Sequence, residues 1–197
     1  MLEIFDVKPY DVADAFHDAT GARTRDLVDA VRQRARLATS TDELLELRHS
    51  AFLATLDENP ARPLPGAMEA LAACRARGPV ALVTSGHRDD ALATLQSLGA
   101  TRHFTAIVTG EDVVNPKPDP EPYLVAASRL GVPPAEVLAF EDSPRGVASA
   151  KAAGCRVVAV PNPRSTTADR VRDADVVLRS LEEALPLDDL LSRLNDR

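Results

Sequence analysis

Three short stretches carry side chains that could act together on a charged ligand. Glu141 and Asp142 stand side by side after the apolar run Val137-Leu138-Ala139-Phe140, and such carboxylates are the hard oxygen donors that Mg²⁺ prefers. Thr84-Ser85-Gly86 follows Val80-Ala81-Leu82-Val83 and offers a hydroxyl with backbone N–H groups at a helix start, which suits a phosphate oxygen. Lys117 lies between Pro116 and Pro118, in a segment too stiff to be helical and biased towards extended backbone. Held there, it can offer a fixed positive charge to a phosphoryl group. Singly, each stretch has a plain explanation as an acidic turn, a hydroxyl-capped turn or a solvated lysine. Hydroxyl, lysine and acid pair on successive units together describe one site for a phosphate and a magnesium ion.

The elements that would position these residues alternate between strand and helix from about residue 67 onward. A helix over Ala67 to Arg77 ends at Gly78 and feeds the strand Val80–Val83. A helix over Asp89 to Leu98, capped by Gly99, precedes the strand Ala106–Val108. Then come a helix over Glu121 to Leu130 ending at Gly131 and the strand that carries Glu141 and Asp142. Ser143 is a good N-cap and Pro144 suits the first helical position, so a further helix runs to Ala153 and stops at Gly154. Strands at Arg156–Val160 and Asp175–Leu178 and a C-terminal helix complete the pattern. Such alternation predicts an α/β fold with a Rossmann-like parallel sheet and right-handed crossovers. In that architecture the strand tips, with Thr84, Lys117 and Glu141-Asp142 behind them, converge on one crevice.

The first part, residues 1–62, has no convincing internal strand. Helices are predicted over Asp11 to Ala19, over Arg25 to Leu37 with Leu27, Val28, Val31 and Leu37 inward, and from Ser40 to about Leu56. Asn59 to Gly66, with three prolines, is the linker to the α/β core, residues 63–197.

With 197 residues, 45% of them hydrophobic and 27% charged, the chain has the composition of a globular protein with a real core. A net charge of −7 argues against nucleic acid, which would need a basic stripe. No apolar run approaches the roughly 18 residues of a membrane span, and no signal peptide is visible. Cys74 and Cys155 cannot form a disulfide framework, so a cytoplasmic protein without a membrane partner is expected. His87 and His103 fall outside any Cys/His ligand spacing and read as surface or capping residues.

Val80 to Val160 resembles the haloacid dehalogenase superfamily, in the branch of sugar-phosphate phosphatases and β-phosphoglucomutase. The resemblance rests on Ala81-Leu82-Val83-Thr84-Ser85-Gly86, on Asn115-Pro116-Lys117-Pro118-Asp119-Pro120 and on Phe140-Glu141-Asp142-Ser143, in that order, with Leu64-Pro65-Gly66 ahead of the first core helix. It implies that residues 1–62 are a helical cap and that the chain is a monomeric, Mg²⁺-dependent phosphatase acting on a small phosphorylated metabolite. It also implies roles. Thr84 and Lys117 would be catalytic, and Thr84, Ser85, Gly86 and Lys117 would bind phosphate. Asp142 would ligate the metal, with Glu141 supporting it directly or through water. Arg23 or Arg25 in the cap is a weaker candidate for touching substrate.

One part of the family pattern is missing. The family opens with a strand ending in two aspartates, the first forming an aspartyl-phosphate and the second acting as general acid and base. Here the nearest imitation is Ile4-Phe5-Asp6, with Lys8 where the second acid should stand and Pro9 where a glycine should. Taking Asp6 as nucleophile leaves the cap one helix short. Taking Met1 to Phe5 as the tail of the cap's first helix restores the register and places the nucleophile strand upstream of Met1, and this truncated reading is the one expected. The strands ending at Thr84 and Asp142 would then face a gap. The expected activity is hydrolysis of a sugar phosphate or phosphoglycolate-like ester. A β-phosphoglucomutase-type isomerase and a non-catalytic phosphate-binding module are the alternatives.

Overall fold

Local signals in the sequence fix most helix ends. The computed structural model describes residues 22–162 and 166–195. Helix α1, Thr24–Arg34, is followed by α2, Thr41–Glu58. The latter starts in a capping box in which the Ser40 hydroxyl accepts from the Glu43 N–H and the Glu43 carboxylate accepts from the Ser40 N–H. Helix α1 ends three residues earlier than its apolar pattern suggested, because the chain turns at Arg36 with φ 53°. The predicted helix over Asp11 to Ala19, and Asp6 and Lys8, lie outside the described residues.

The core elements follow in the predicted order. They are α3 (Ala67–Arg77), β1 (Ala81–Val83), α4 (Arg88–Ser97), β2 (Ala106–Val108), α5 (Glu121–Leu130) and β3 (Leu138–Glu141). Then come α6 (Pro144–Ala152), β4 (Arg156–Ala159), β5 (Val176–Val177) and α7 (Leu187–Asn195). Ser143 caps α6 by accepting the Gly146 N–H at 3.0 Å, with Pro144 in the first turn. Gly131 closes α5 in the left-handed region at φ 71°, where a Cβ would be strained.

All strand pairs are parallel. Ala81, Leu82 and Val83 pair with Ala106, Ile107 and Val108; β3 pairs with β4 from Leu138↔Arg156 to Glu141↔Ala159, and β4 with β5. Among the described residues these strands make two sheets, β1–β2 and β3–β4–β5, and no strand pairs with the edges of β1 and β3 away from those partners. Backbone groups alternate between the two edges of a strand. The Thr84 N–H donates to Val108 on the β2 side, so the Val83 carbonyl points the other way, where the Lys117 ammonium takes it up at 3.2 Å.

Strand β4 shows why both faces are covered. Val157 and Ala159 join a core with Tyr123, Ala139, Val147 and Ala150 beneath α5 and α6. Val158 points the opposite way, to Leu178, Leu190 and Leu194, with Ala73 and Cys74 of α3 against them. Apolar residues on both faces of a short strand are what a parallel sheet between helix layers requires. Helix α3 also packs on the turn Leu181–Ala184, and Gly66 permits this: a Cβ there would lie 2.4 Å from the Glu182 backbone nitrogen. Both cysteines are free thiols, and no described helix is long and apolar enough to cross a membrane.

Candidate active site

The three predicted stretches meet at the carboxyl ends of β1 and β3, around a cavity of about 320 Å³. Thr84, Ser85 and Gly86 line one wall, Glu141 and Asp142 another, and Lys117 lies between them; Ala22, just before α1, reaches the same space.

Thr84 leaves β1 and its hydroxyl accepts the Gly86 N–H at 3.0 Å. That bond uses a lone pair and keeps the hydroxyl proton available to a ligand oxygen. The Ser85 carbonyl accepts the Thr24 N–H at 3.1 Å, which seats the start of α1 on this turn.

Lys117 is buried, with its side chain 6% exposed. Its ammonium donates to the Val83 carbonyl and forms an ion pair with Glu141 Oε1, and it sits 5.1 Å from the centroid of the Tyr123 ring. An ammonium has three protons, so one remains for a ligand in the cavity. The solvated-lysine reading of Lys117 therefore fails on geometry. Lys151 is the solvated kind, 40% exposed and paired with Asp175.

Glu141 is engaged at both oxygens. Oε1 takes Lys117 and the Tyr123 hydroxyl, and Oε2 takes the Ser143 hydroxyl at 3.3 Å. Gly146 makes this packing possible, since a Cβ there would stand 1.9 Å from Oε2. Tyr123 is held well above its ordinary pKa, first by burial and then by the Glu141 charge, so it stays a donor.

Asp142 is the exposed acid of the pair. Its carboxyl is held above the ordinary carboxylate range, first by lost hydration and then by the negative charge of Glu141, with Lys117 opposing. An unneutralised carboxylate beside a second one is a place where a cation relieves repulsion. Two adjacent carboxylates suit a Mg²⁺ that keeps waters and takes phosphate oxygens, rather than a full protein cage. Among the described residues no cluster of three acids, histidines or cysteines could hold a metal by itself.

The weaker candidates fall elsewhere. The Arg23 guanidinium bonds Asp26, at 2.8 Å for Nη2, while its stem crosses Gly110; Arg25 pairs with Asp42 and is exposed. His87 stands at the N-cap position of α4 without a side-chain capping bond, and its Nε2 meets Glu111 at 2.8 Å. His103 lies in the turn Thr101–His103 that precedes β2, at the opposite end of that strand from the cavity.

Sequence reasoning missed Tyr123 and Gly146, and read Ser143 as a helix cap and a motif residue rather than as a partner of Glu141. Tyr123 left a signal: with Ala126 and Ala127 it forms the buried face of α5, and a buried phenol needs a partner.

Comparison with known proteins bears on the family of the chain. The family model described as haloacid dehalogenase-like hydrolase matches residues 3–154. Validoxylamine A 7'-phosphate phosphatase of Streptomyces hygroscopicus subsp. limoneus is 39% identical over 145 residues, 73% of this chain and 67% of the relative. Hexitol phosphatase A of Escherichia coli strain K12 is 43% identical over 123 residues, 61% of this chain and 55% of that protein. The crystal structure of CbbY from Rhodobacter sphaeroides in complex with phosphate superposes with a TM-score of 0.81 at 23% identity, covering 92% of this chain and 82% of that one, a likeness of fold.

Proposed function

The chain belongs to the haloacid dehalogenase-like hydrolases, and from that premise we propose that it is a Mg²⁺-dependent phosphatase of a small sugar phosphate or a phosphoglycolate-like ester, a cytoplasmic monomer. The relatives named above are phosphatases by name, which supports the reaction class. The observation that carries the reading is the buried Lys117 ammonium, clamped between Val83 and Glu141 beside the Thr84 hydroxyl and the open carboxylate of Asp142.

Phosphoryl transfer depends on positioning and charge neutralisation more than on covalent chemistry by the protein. Thr84 donates its hydroxyl proton to one phosphate oxygen, and the backbone of Ser85 and Gly86 frames the same turn. Lys117 places its third proton on the transferring group and offsets the charge that builds there. Asp142 would hold Mg²⁺, with Glu141 behind it, and the ion would neutralise phosphate oxygens. Glu141 also keeps Lys117 in place, and its occupied oxygens favour a supporting role over direct ligation. Among the described residues the acids lining the cavity are Glu141 and Asp142 alone. An aspartyl-phosphate route would need an attacking carboxylate besides these two.

The test is phosphate release from a panel of sugar phosphates and phosphoglycolate with Mg²⁺, by this chain and by a version extended upstream. Turnover lost in Lys117→Ala and Asp142→Asn supports the assignment. Turnover of the short chain that vanishes in Asp6→Asn makes Asp6 the nucleophile. Turnover unaffected by Lys117→Ala would refute the site, and ligand binding without turnover in either version would identify a non-catalytic phosphate binder.

A further inference from the structure

Lys117 sits in a long irregular connection between β2 and α5, yet its ammonium is buried at a defined point. Something has to hold the backbone that carries it. Upstream, the Glu121 carboxylate accepts the Val114 and Asn115 N–H groups, both at 2.8 Å. At Lys117 itself the hold comes from α6. Arg145 donates Nε and Nη2 to the Lys117 carbonyl, at 3.0 and 2.5 Å. One turn later Ser149, fully buried, donates its hydroxyl to the Asp119 carbonyl at 2.6 Å.

Resting on the phosphate-site reading above, we propose that Arg145 is a positioning residue that sets where the Lys117 ammonium meets the phosphate. Other arginines near this connection behave differently: Arg88 and Arg129 both pair with the Asp112 carboxylate. Arg145 makes no ion pair among the described residues and places two donors on one backbone carbonyl. A guanidinium is a rigid fork, so both bonds restrain direction as well as distance. The same helix turn supplies Ser143 and Gly146, which seat Glu141. Helix α6 thus fixes the lysine's backbone from one side and its carboxylate partner from the other, as one rigid body.

The experiment follows the ammonium directly. Lys8, Lys117 and Lys151 are the only lysines, so a ¹⁵Nζ spectrum of the full chain is simple, and Lys117→Ala identifies the Lys117 signal. Calorimetry with inorganic phosphate and Mg²⁺ gives affinity alongside it. In Arg145→Met we expect the Lys117 signal to shift or broaden and phosphate to bind about tenfold more weakly. Arg145→Lys, with one donor point in place of a fork, should fall between, and it carries the test together with Arg145→Gln if the methionine variant does not fold. An unshifted Lys117 signal with unchanged phosphate affinity overturns the proposal, even where the melting temperature falls, because that is what a purely structural arginine would do. If Lys117→Ala leaves phosphate affinity unchanged, the phosphate-site reading fails instead, and the Lys117 signal still decides the role of Arg145.

Discussion

Replacing Gly146 with alanine should damage the site through Glu141. An alanine Cβ would stand 1.9 Å from Glu141 Oε2, 2.1 Å from Cδ and 2.3 Å from Oε1. Ordinary contact needs roughly 3.5 Å, so the carboxylate must move by about 1.5 Å. A flexible surface glutamate could do so freely. This one is buried and tied to Lys117, Tyr123 and Ser143, and the move breaks those bonds. Lys117 is then left buried without its counter-charge, a loss on the order of 3–5 kcal/mol. Urea unfolding of Gly146→Ala should show that loss, with phosphate affinity falling in parallel. The reasoning is checked in a second background, Lys117→Met with Glu141→Ala, where neither the carboxylate nor the orphaned charge remains. There Gly146→Ala should be neutral or stabilising by up to about 1 kcal/mol, because alanine is the better helix former. An equal penalty in both backgrounds would refute the steric account.

Other expectations bear on the metal, on pH and on the N-terminal helices. Asp142→Asn should weaken Mg²⁺ binding at least about tenfold by calorimetry while leaving the fold intact, since Asp142 is exposed. Asp112 is lowered from the ordinary 3.8 to about 2: burial opposes its charge, but hydrogen bonds from Arg129 and Thr109 outweigh it. Its folded pKa is depressed, so its stabilisation, about 1–2 kcal/mol after discounting for solvent, is present above about pH 4 and lost as pH falls towards 2. Asp112→Asn should flatten that part of an acid-unfolding profile and cost stability at neutral pH. Asp90, buried in α4, accepts from Arg48 and meets His49 Nδ1 at 2.7 Å, joining α2 to the core. Asp90→Ala should cost about 1–3 kcal/mol and speed proteolysis of residues 24–58.

How much of this was legible beforehand depends on the range of each signal. Helix boundaries were readable because caps act over three or four residues: Ser40 with Glu43, Ser143 with Pro144, Gly131 after Leu130. The strands were readable as short apolar runs, and their tips as the place where Thr84 and Glu141-Asp142 had to emerge. Lys117 was readable as a constrained cation because its flanking prolines are adjacent to it. The earlier end of α1 was not, since it is set by the turn at Arg36 rather than by apolar spacing.

From its order of residues alone, then, the chain determined an α/β core, the sequence of its elements and the polar groups its strand tips would carry, because propensity, capping and periodicity are local. The tertiary structure decided the rest. It divided the described strands into two sheets bridged by the Lys117 ammonium, between Val83 of one and Glu141 of the other. It also assigned Tyr123, Ser143, Arg145 and Gly146 to the placement of that lysine and its acid. Those contacts join separate elements, and which donor meets which acceptor is settled only when helices pack on strands and every buried polar group must find a partner.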